Sequence, residues 1–197
     1  TQHLAIQWEK ARRMGKHLEC AVFLGGPPAL LLAAASKVPY GVEEYGVAGA
    51  LNGEPIAVVP AETFDCMVPA EAEIVMEGII RTDILEPEAP FGESHGHVNL
   101  QEYNAFMDVT CITRKKKAIL TSIISQVTPS ESSVIKRVAY EPMFTEHLRD
   151  HLGIKGVIKV SMHEPLTNIR KLIVIICERG MPSTEVWRAM YGAASLH

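Results

Sequence analysis

The change of hydrophobic period at Ile56 constrains this chain more than any other feature. From there the apolar residues gather in short β-type runs over residues 56–59, 74–80, 106–113 and 118–124, separated by charged or proline-rich breaks. Two more follow at 157–162 and 172–177. Helical patterns enter before and after these runs and do not alternate with them. That order predicts an α+β fold with an antiparallel sheet or a small barrel. A doubly wound nucleotide-binding sheet fits poorly. Gly25-Gly26-Pro27-Pro28 lies between a strand and a helix, yet it lacks the glycine fingerprint, and its prolines remove backbone donors.

Leu4, Trp8, Ala11 and Met14 recur at helical spacing with charges on the other face, so an amphipathic helix opens the chain and ends at Gly15. Residues 18–24 read as a strand and 29–36 as a short apolar helix begun after proline. Arg114-Lys115-Lys116-Lys117 reads as the solvated tip of a hairpin between the runs at 106–113 and 118–124. Thr128-Pro129-Ser130-Glu131 has capping-box spacing, and the apolar face that follows predicts a helix to Gly153, interrupted at Pro142. A last helix is expected over 183–194. With 197 residues, 47% of them hydrophobic, the chain is sized for one core, and residues 1–197 are expected to form a single domain.

A net charge of -4 gives no broad basic surface, which excludes non-specific nucleic-acid binding. The longest apolar stretch, residues 27–36, is too short to span a bilayer, and residues 1–8 do not form a signal peptide. Cys20, Cys66, Cys111 and Cys177 lack metal-ligand spacing and read as buried thiols, which suits a reducing cytoplasm. The chain begins without Met and its first helix starts almost at once, so a piece of a longer protein is expected.

The densest chemistry lies between Glu86 and His97, where three carboxylates and two histidines fall within twelve residues. On a regular strand Glu88 and Glu93 would point to opposite faces. The intervening Pro90-Phe91-Gly92 can turn both toward one cleft, where converging carboxylates suit proton transfer. A solvated loop is the competing and, for an arbitrary Glu/His-rich segment, the commoner reading. His95 and His97 at i and i+2 carry little weight as metal ligands. Local physics selects neither His3 nor Glu44.

The order of motifs resembles the UbiD-like decarboxylases. It runs through Gln2-His3-Leu4, Gly25-Gly26-Pro27-Pro28-Ala29 and Gly41-Val42-Glu43-Glu44-Tyr45-Gly46. Then follow Val68-Pro69-Ala70-Glu71-Ala72-Glu73-Ile74-Val75-Met76-Glu77-Gly78 and Pro87-Glu88-Ala89-Pro90-Phe91-Gly92-Glu93-Ser94-His95-Gly96. The resemblance covers essentially the whole chain. It implies a split antiparallel β-barrel related to flavin-reductase domains and flanked by helices. Such a domain holds a prenylated flavin mononucleotide (prenylated FMN) through a divalent metal, Mn2+ or Mg2+, with K+ nearby. By the same resemblance His3 and Glu44 are the metal ligands, Gln2 lies beside the flavin, and Glu88 and Glu93 are the two carboxylates of the family's Glu-Arg-Glu network, with Glu93 the proton carrier. The network's arginine and a third ligand, an asparagine, belong to a segment upstream of His3, and a lysine near the flavin to one beyond His197. The isolated chain is therefore expected to hold the cofactor weakly or not at all.

The implied reaction is reversible decarboxylation or carboxylation of an aromatic or α,β-unsaturated carboxylic acid, with CO2 as product or substrate, through an adduct with the prenylated flavin. A homo-oligomer or carboxylase complex, assembled through other segments, is the expected setting. The alternative is a non-catalytic scaffold subunit of such a complex, which the joint presence of His3, Glu44, Glu88 and Glu93 disfavours. A flavin reductase would need a nicotinamide site that the sequence does not offer.

Overall fold

The computed structural model describes residues 3–36, 38–92, 97–100, 102–124, 130–162 and 172–196. In chain order the first elements are α1 (His3–Arg13), β1 (Leu18–Leu24), α2 (Pro28–Ala35), α3 (Glu44–Asn52), β2 (Val58–Pro60), β3 (Met67–Pro69) and β4 (Ile74–Ile80). Then come β5 (Glu86–Glu88), β6 (Phe91–Gly92), β7 (Val98–Asn99), β8 (Glu102–Asn104) and β9 (Met107–Arg114). The chain continues with α4 (Glu131–Glu146), one π-helical turn (His147–His151), β10 (Val157–Met162), β11 (Ile173–Cys177) and α5 (Ser183–Ser195). Two compact units result. One comprises Thr1–Ala33, Val38–Phe91 and Asn99–Ser122; the other comprises Ala34–Lys37, Gly92–Val98 and Ile123–His197.

In the first unit β4 is the central strand of a three-stranded sheet. It pairs antiparallel with β1 from Leu18↔Ile80 to Leu24↔Ile74, and with β9 from Ile74↔Arg114 to Ile80↔Met107. Paired on both edges, its residues are all buried or half-buried, in keeping with its mostly apolar sequence. A bulge interrupts the β4–β9 ladder between Glu77 and Gly78. There Gly78 lies so close to the backbone carbonyl of Asp108 that a Cβ would collide with it, so the glycine of the Glu-Gly pair is required by backbone approach. Two short antiparallel ladders, β2–β3 and β5–β8, also lie in this unit.

Ala29, Leu30, Ala33 and Ala48 bury α2 against α3, with Phe23 and Tyr45 at the edge of the cluster. Val68, Ala72 and Val75 form a second apolar cluster around the start of β4. In the second unit the antiparallel pair β10–β11 packs with α4, the π-helical turn and α5 around Tyr140, Phe144, Leu148, Ile154, Val157, Val160, Met162 and Ala189.

The α+β class and the antiparallel pairing agree with the sequence reading, and strands at 18–24, 74–80 and 157–162 fall where the periodicity put them. The ladders among the described residues form separate small sheets, the largest three-stranded, and do not draw a closed barrel. Several expectations are corrected. The run 118–124 is not a strand, so Arg114–Lys117 is not a hairpin tip. The segment is tied to the turn before β4, where the Lys115 ammonium bonds the Glu71 and Glu73 carboxylates and the Ile119 N–H donates to Glu73. Its β-formers stay exposed for want of a partner strand. Pro142 does not interrupt α4. Pro142 removes the i+4 donor to the Val138 carbonyl, and both residues are exposed, so water can replace that bond. The four cysteines are half-buried free thiols, not fully buried ones.

Candidate functional site

The sequence separates His3 from Glu44 by forty residues, and the fold brings them together. His3 is the first residue of α1 and Glu44 the first of α3. His3 Nδ1 lies 3.4 Å from Glu44 Oε1, with the two side chains 37% and 48% exposed. Neighbouring ligand atoms on one octahedral cation with bonds near 2.1 Å stand about 3 Å apart, so this pair has the spacing of two ligands sharing an ion. An imidazole nitrogen and a carboxylate oxygen suit a hard or borderline divalent cation, and their exposure leaves room for further ligands. The residues present therefore fit a divalent metal. Among the described residues no group of three His, Cys, Asp or Glu side chains surrounds such an ion, so the pair alone would have to be completed from elsewhere.

Two residues that the sequence reading did not single out support His3. The Tyr40 ring meets the His3 imidazole edge-to-face, with centroids 5.3 Å apart and planes at 85°. Gln7, one helical turn beyond His3, donates from Nε2 to the Tyr40 hydroxyl at 2.8 Å. The i, i+4 spacing of His3 and Gln7 was visible in sequence, but the tyrosine that joins them arrives from the segment between α2 and α3.

Glu88 ends β5, opposite Glu102 on β8. Its carboxylate is exposed and accepts a hydrogen bond from Asn104 Nδ2 at 2.5 Å. Cross-strand register places Glu86, Glu88, Glu102 and Asn104 on one face, where the asparagine offsets part of the repulsion among the carboxylates. Glu93, His95 and Gln2 lie outside the described residues. His97 is exposed.

The motif's most buried carboxylate is Glu77, only 1% exposed at the centre of β4. It accepts from the Glu62 N–H at 2.9 Å, the Thr63 N–H at 2.8 Å and the Thr63 hydroxyl at 2.6 Å. The Glu62 amide and the Thr63 hydroxyl hold this carboxyl below the ordinary carboxylate range despite its burial. Glu77 is thus a structural anchor that clamps the loop between β2 and β3 onto the sheet.

Residues 1–127 match the family model of UbiD, described as the 3-octaprenyl-4-hydroxybenzoate carboxy-lyase Rift-related domain. The chain belongs to the UbiD family. A pyrrole-2-carboxylic acid decarboxylase of Pseudomonas aeruginosa is 40% identical over 136 residues, covering 68% of this chain and 27% of that protein. An evolved dimeric form of the UbiD-class enzyme HmfF from Pelotomaculum thermopropionicum, solved with prFMN, superposes with a TM-score of 0.88 at 32% identity. That match covers 98% of this chain and 44% of HmfF. Apo 3,4-dihydroxybenzoic acid decarboxylase (AroY) of Klebsiella pneumoniae, at 22% identity, shares the fold with a TM-score of 0.81 over 98% of this chain and 42% of its own. The UbiD-family chain described here therefore spans about a quarter of the curated relative and less than half of the solved enzymes. No helix among the described residues is long and apolar enough to cross a membrane.

Proposed function

We propose that this chain is the central cofactor-binding domain, residues 1–197, of a cytoplasmic carboxy-lyase. The enzyme removes CO2 reversibly from an aromatic or α,β-unsaturated carboxylic acid. The observation that carries the reading is the convergence of His3 and Glu44 at ligand spacing in a chain of this family. In this reading His3 and Glu44 would hold Mn2+ or Mg2+ for a prenylated FMN, with K+ as a further ion, and Gln2 would contact the flavin. When bound, the prenylated flavin would supply the electron sink for the charge left on the substrate carbon. The split barrel belongs to the same proposal. Assembly into a homo-oligomer or a carboxylase complex is expected to use other segments.

The protein's own residues position and move the proton. As the bond to the carboxylate carbon breaks, CO2 leaves, the bonding pair stays with the ring or alkene carbon, and Glu93 delivers its proton to that ring or alkene carbon. Glu88, oriented by Asn104, is the second carboxylate of the network. In the carboxylation direction Glu93 takes the proton back.

The test is made in the full-length protein. His3→Ala and Glu44→Gln should each remove bound metal, read by elemental analysis of the purified protein, together with CO2 release from aromatic and unsaturated acids. Wild-type metal content in both variants would refute the site.

A further inference from the structure

We infer that Tyr40 and Gln7 form a brace that fixes the orientation of the His3 imidazole toward Glu44, and so sets how tightly the pair holds a divalent cation. The inference rests on the reading of His3 and Glu44 as ligands. Its physical core is a closed ring of contacts. Gln7 rises from α1 one turn after His3, on the same helix face. Its amide donates to the Tyr40 hydroxyl at 2.8 Å, and the other end of that tyrosine meets the His3 ring edge-to-face at 5.3 Å. The tyrosine is thus pinned at its hydroxyl by the helix that carries the histidine it supports.

Such a brace has work to do at this position. The His3 side chain is 37% exposed and its sp3–sp2 χ2 well is broad, so little packing fixes the ring beyond these contacts. An unbraced imidazole would rotate away from Glu44 and would have to be reordered each time a cation bound. Preorganising a ligand lowers that ordering loss, and an edge-to-face ring contact is of a size to change affinity by about tenfold. Tyr40 is itself exposed, so little core packing depends on its ring.

Mn2+ alone is titrated into the full-length protein, with free Mn2+ followed by electron paramagnetic resonance. Wild type is compared with Tyr40→Ala, Tyr40→Phe, Gln7→Ala and His3→Ala. Tyr40→Ala should weaken binding about tenfold. Tyr40→Phe keeps the ring and Gln7→Ala keeps the tyrosine, so each should weaken binding only about two- to threefold, with the thermal midpoint unmoved. Wild-type affinity in Tyr40→Ala alongside lost affinity in His3→Ala overturns the brace but keeps the metal site. Wild-type affinity in His3→Ala overturns the ligand reading itself. A metal-free measurement covers the case in which even wild type binds Mn2+ too weakly to titrate: nuclear Overhauser contacts between the His3 ring and the Glu44 side chain. These should be present in wild type and lost in Tyr40→Ala. Their survival in Tyr40→Ala overturns the brace whatever the metal does.

Discussion

A carboxylate at the centre of a sheet is tolerated only when every lone pair that matters is used, and Glu77 meets that condition with three donors from residues 62 and 63. Glu77→Ala would take the shared acceptor from those part-buried donors and release the loop that carries them, for an expected loss of about 1–3 kcal/mol in urea denaturation at pH 7. Glu77→Gln keeps the shape but turns an amide NH2 toward N–H donors, so it should also destabilise. The pH dependence has a definite sign. Because the folded carboxyl titrates below its ordinary value of 4.5, its stabilisation is complete above that value and is lost as pH falls through the depressed one. The stability gap between wild type and Glu77→Gln should therefore shrink as the buffer is taken below pH 4.5, and a constant gap would show that Glu77 is not ionised in the fold. The sequence displayed Glu77 and Gly78 within its most specific motif but not their reasons. The donors to Glu77 come from a loop about fifteen residues upstream, and the carbonyl that excludes a side chain at Gly78 belongs to Asp108. Contacts of that range leave no trace in local pattern.

At the scale of elements, legibility followed burial. β4 is covered on both sides and reads as an apolar run; α5 buries one stripe and reads as an amphipathic helix. Residues 118–124 have the same β-type composition and form no strand, because propensity specifies a conformation and only a partner specifies a ladder. The missed helix, α3, carries Gly46 and Gly49 in its interior, which lower its intrinsic propensity; it is held instead by Ala48, fully buried against α2, and closed by Gly53 in the left-handed region at φ 79°. That helix presents Glu44, which explains why the metal pair was readable only through resemblance. Gly192 on α5 is a glycine of another kind. A Cβ there would stand 2.5 Å from Leu152 Cδ1 and 2.9 Å from Leu148 Cδ2, and Leu148 is fully buried. In an exposed helix Gly→Ala stabilises by about 1 kcal/mol. At this position the overlap should reverse the sign, so that Gly192→Ala lowers stability by about 1–3 kcal/mol in chemical denaturation. A stabilised variant would mean that α5 does not pack so closely on the π-helical turn.

At the scale of the molecule, the chain holds two compact units and matches only part of each relative's length. The constellation proposed for catalysis is accordingly argued for the longer protein, with Glu93 as its decisive member. Proton delivery to carbon needs a group that can lose and regain a proton at the moment CO2 departs. A carboxylic acid can do so and a carboxamide cannot. Glu93→Gln preserves size and hydrogen-bonding reach, so metal content and flavin binding by the full-length enzyme should remain at wild-type levels. Turnover should fall by at least about a hundredfold, the lower end for a positioned acid or base. CO2 release and the incorporation of solvent deuterium into the decarboxylated product measure the same step from both sides, and both should fall together. Glu88→Gln should be less damaging to proton delivery, because Glu88 is held by Asn104 on its own strand pair and is assigned no proton to deliver. Undiminished turnover and deuterium incorporation in Glu93→Gln with flavin bound would move the acid elsewhere, and Glu88 or His95 would then be tested as the donor.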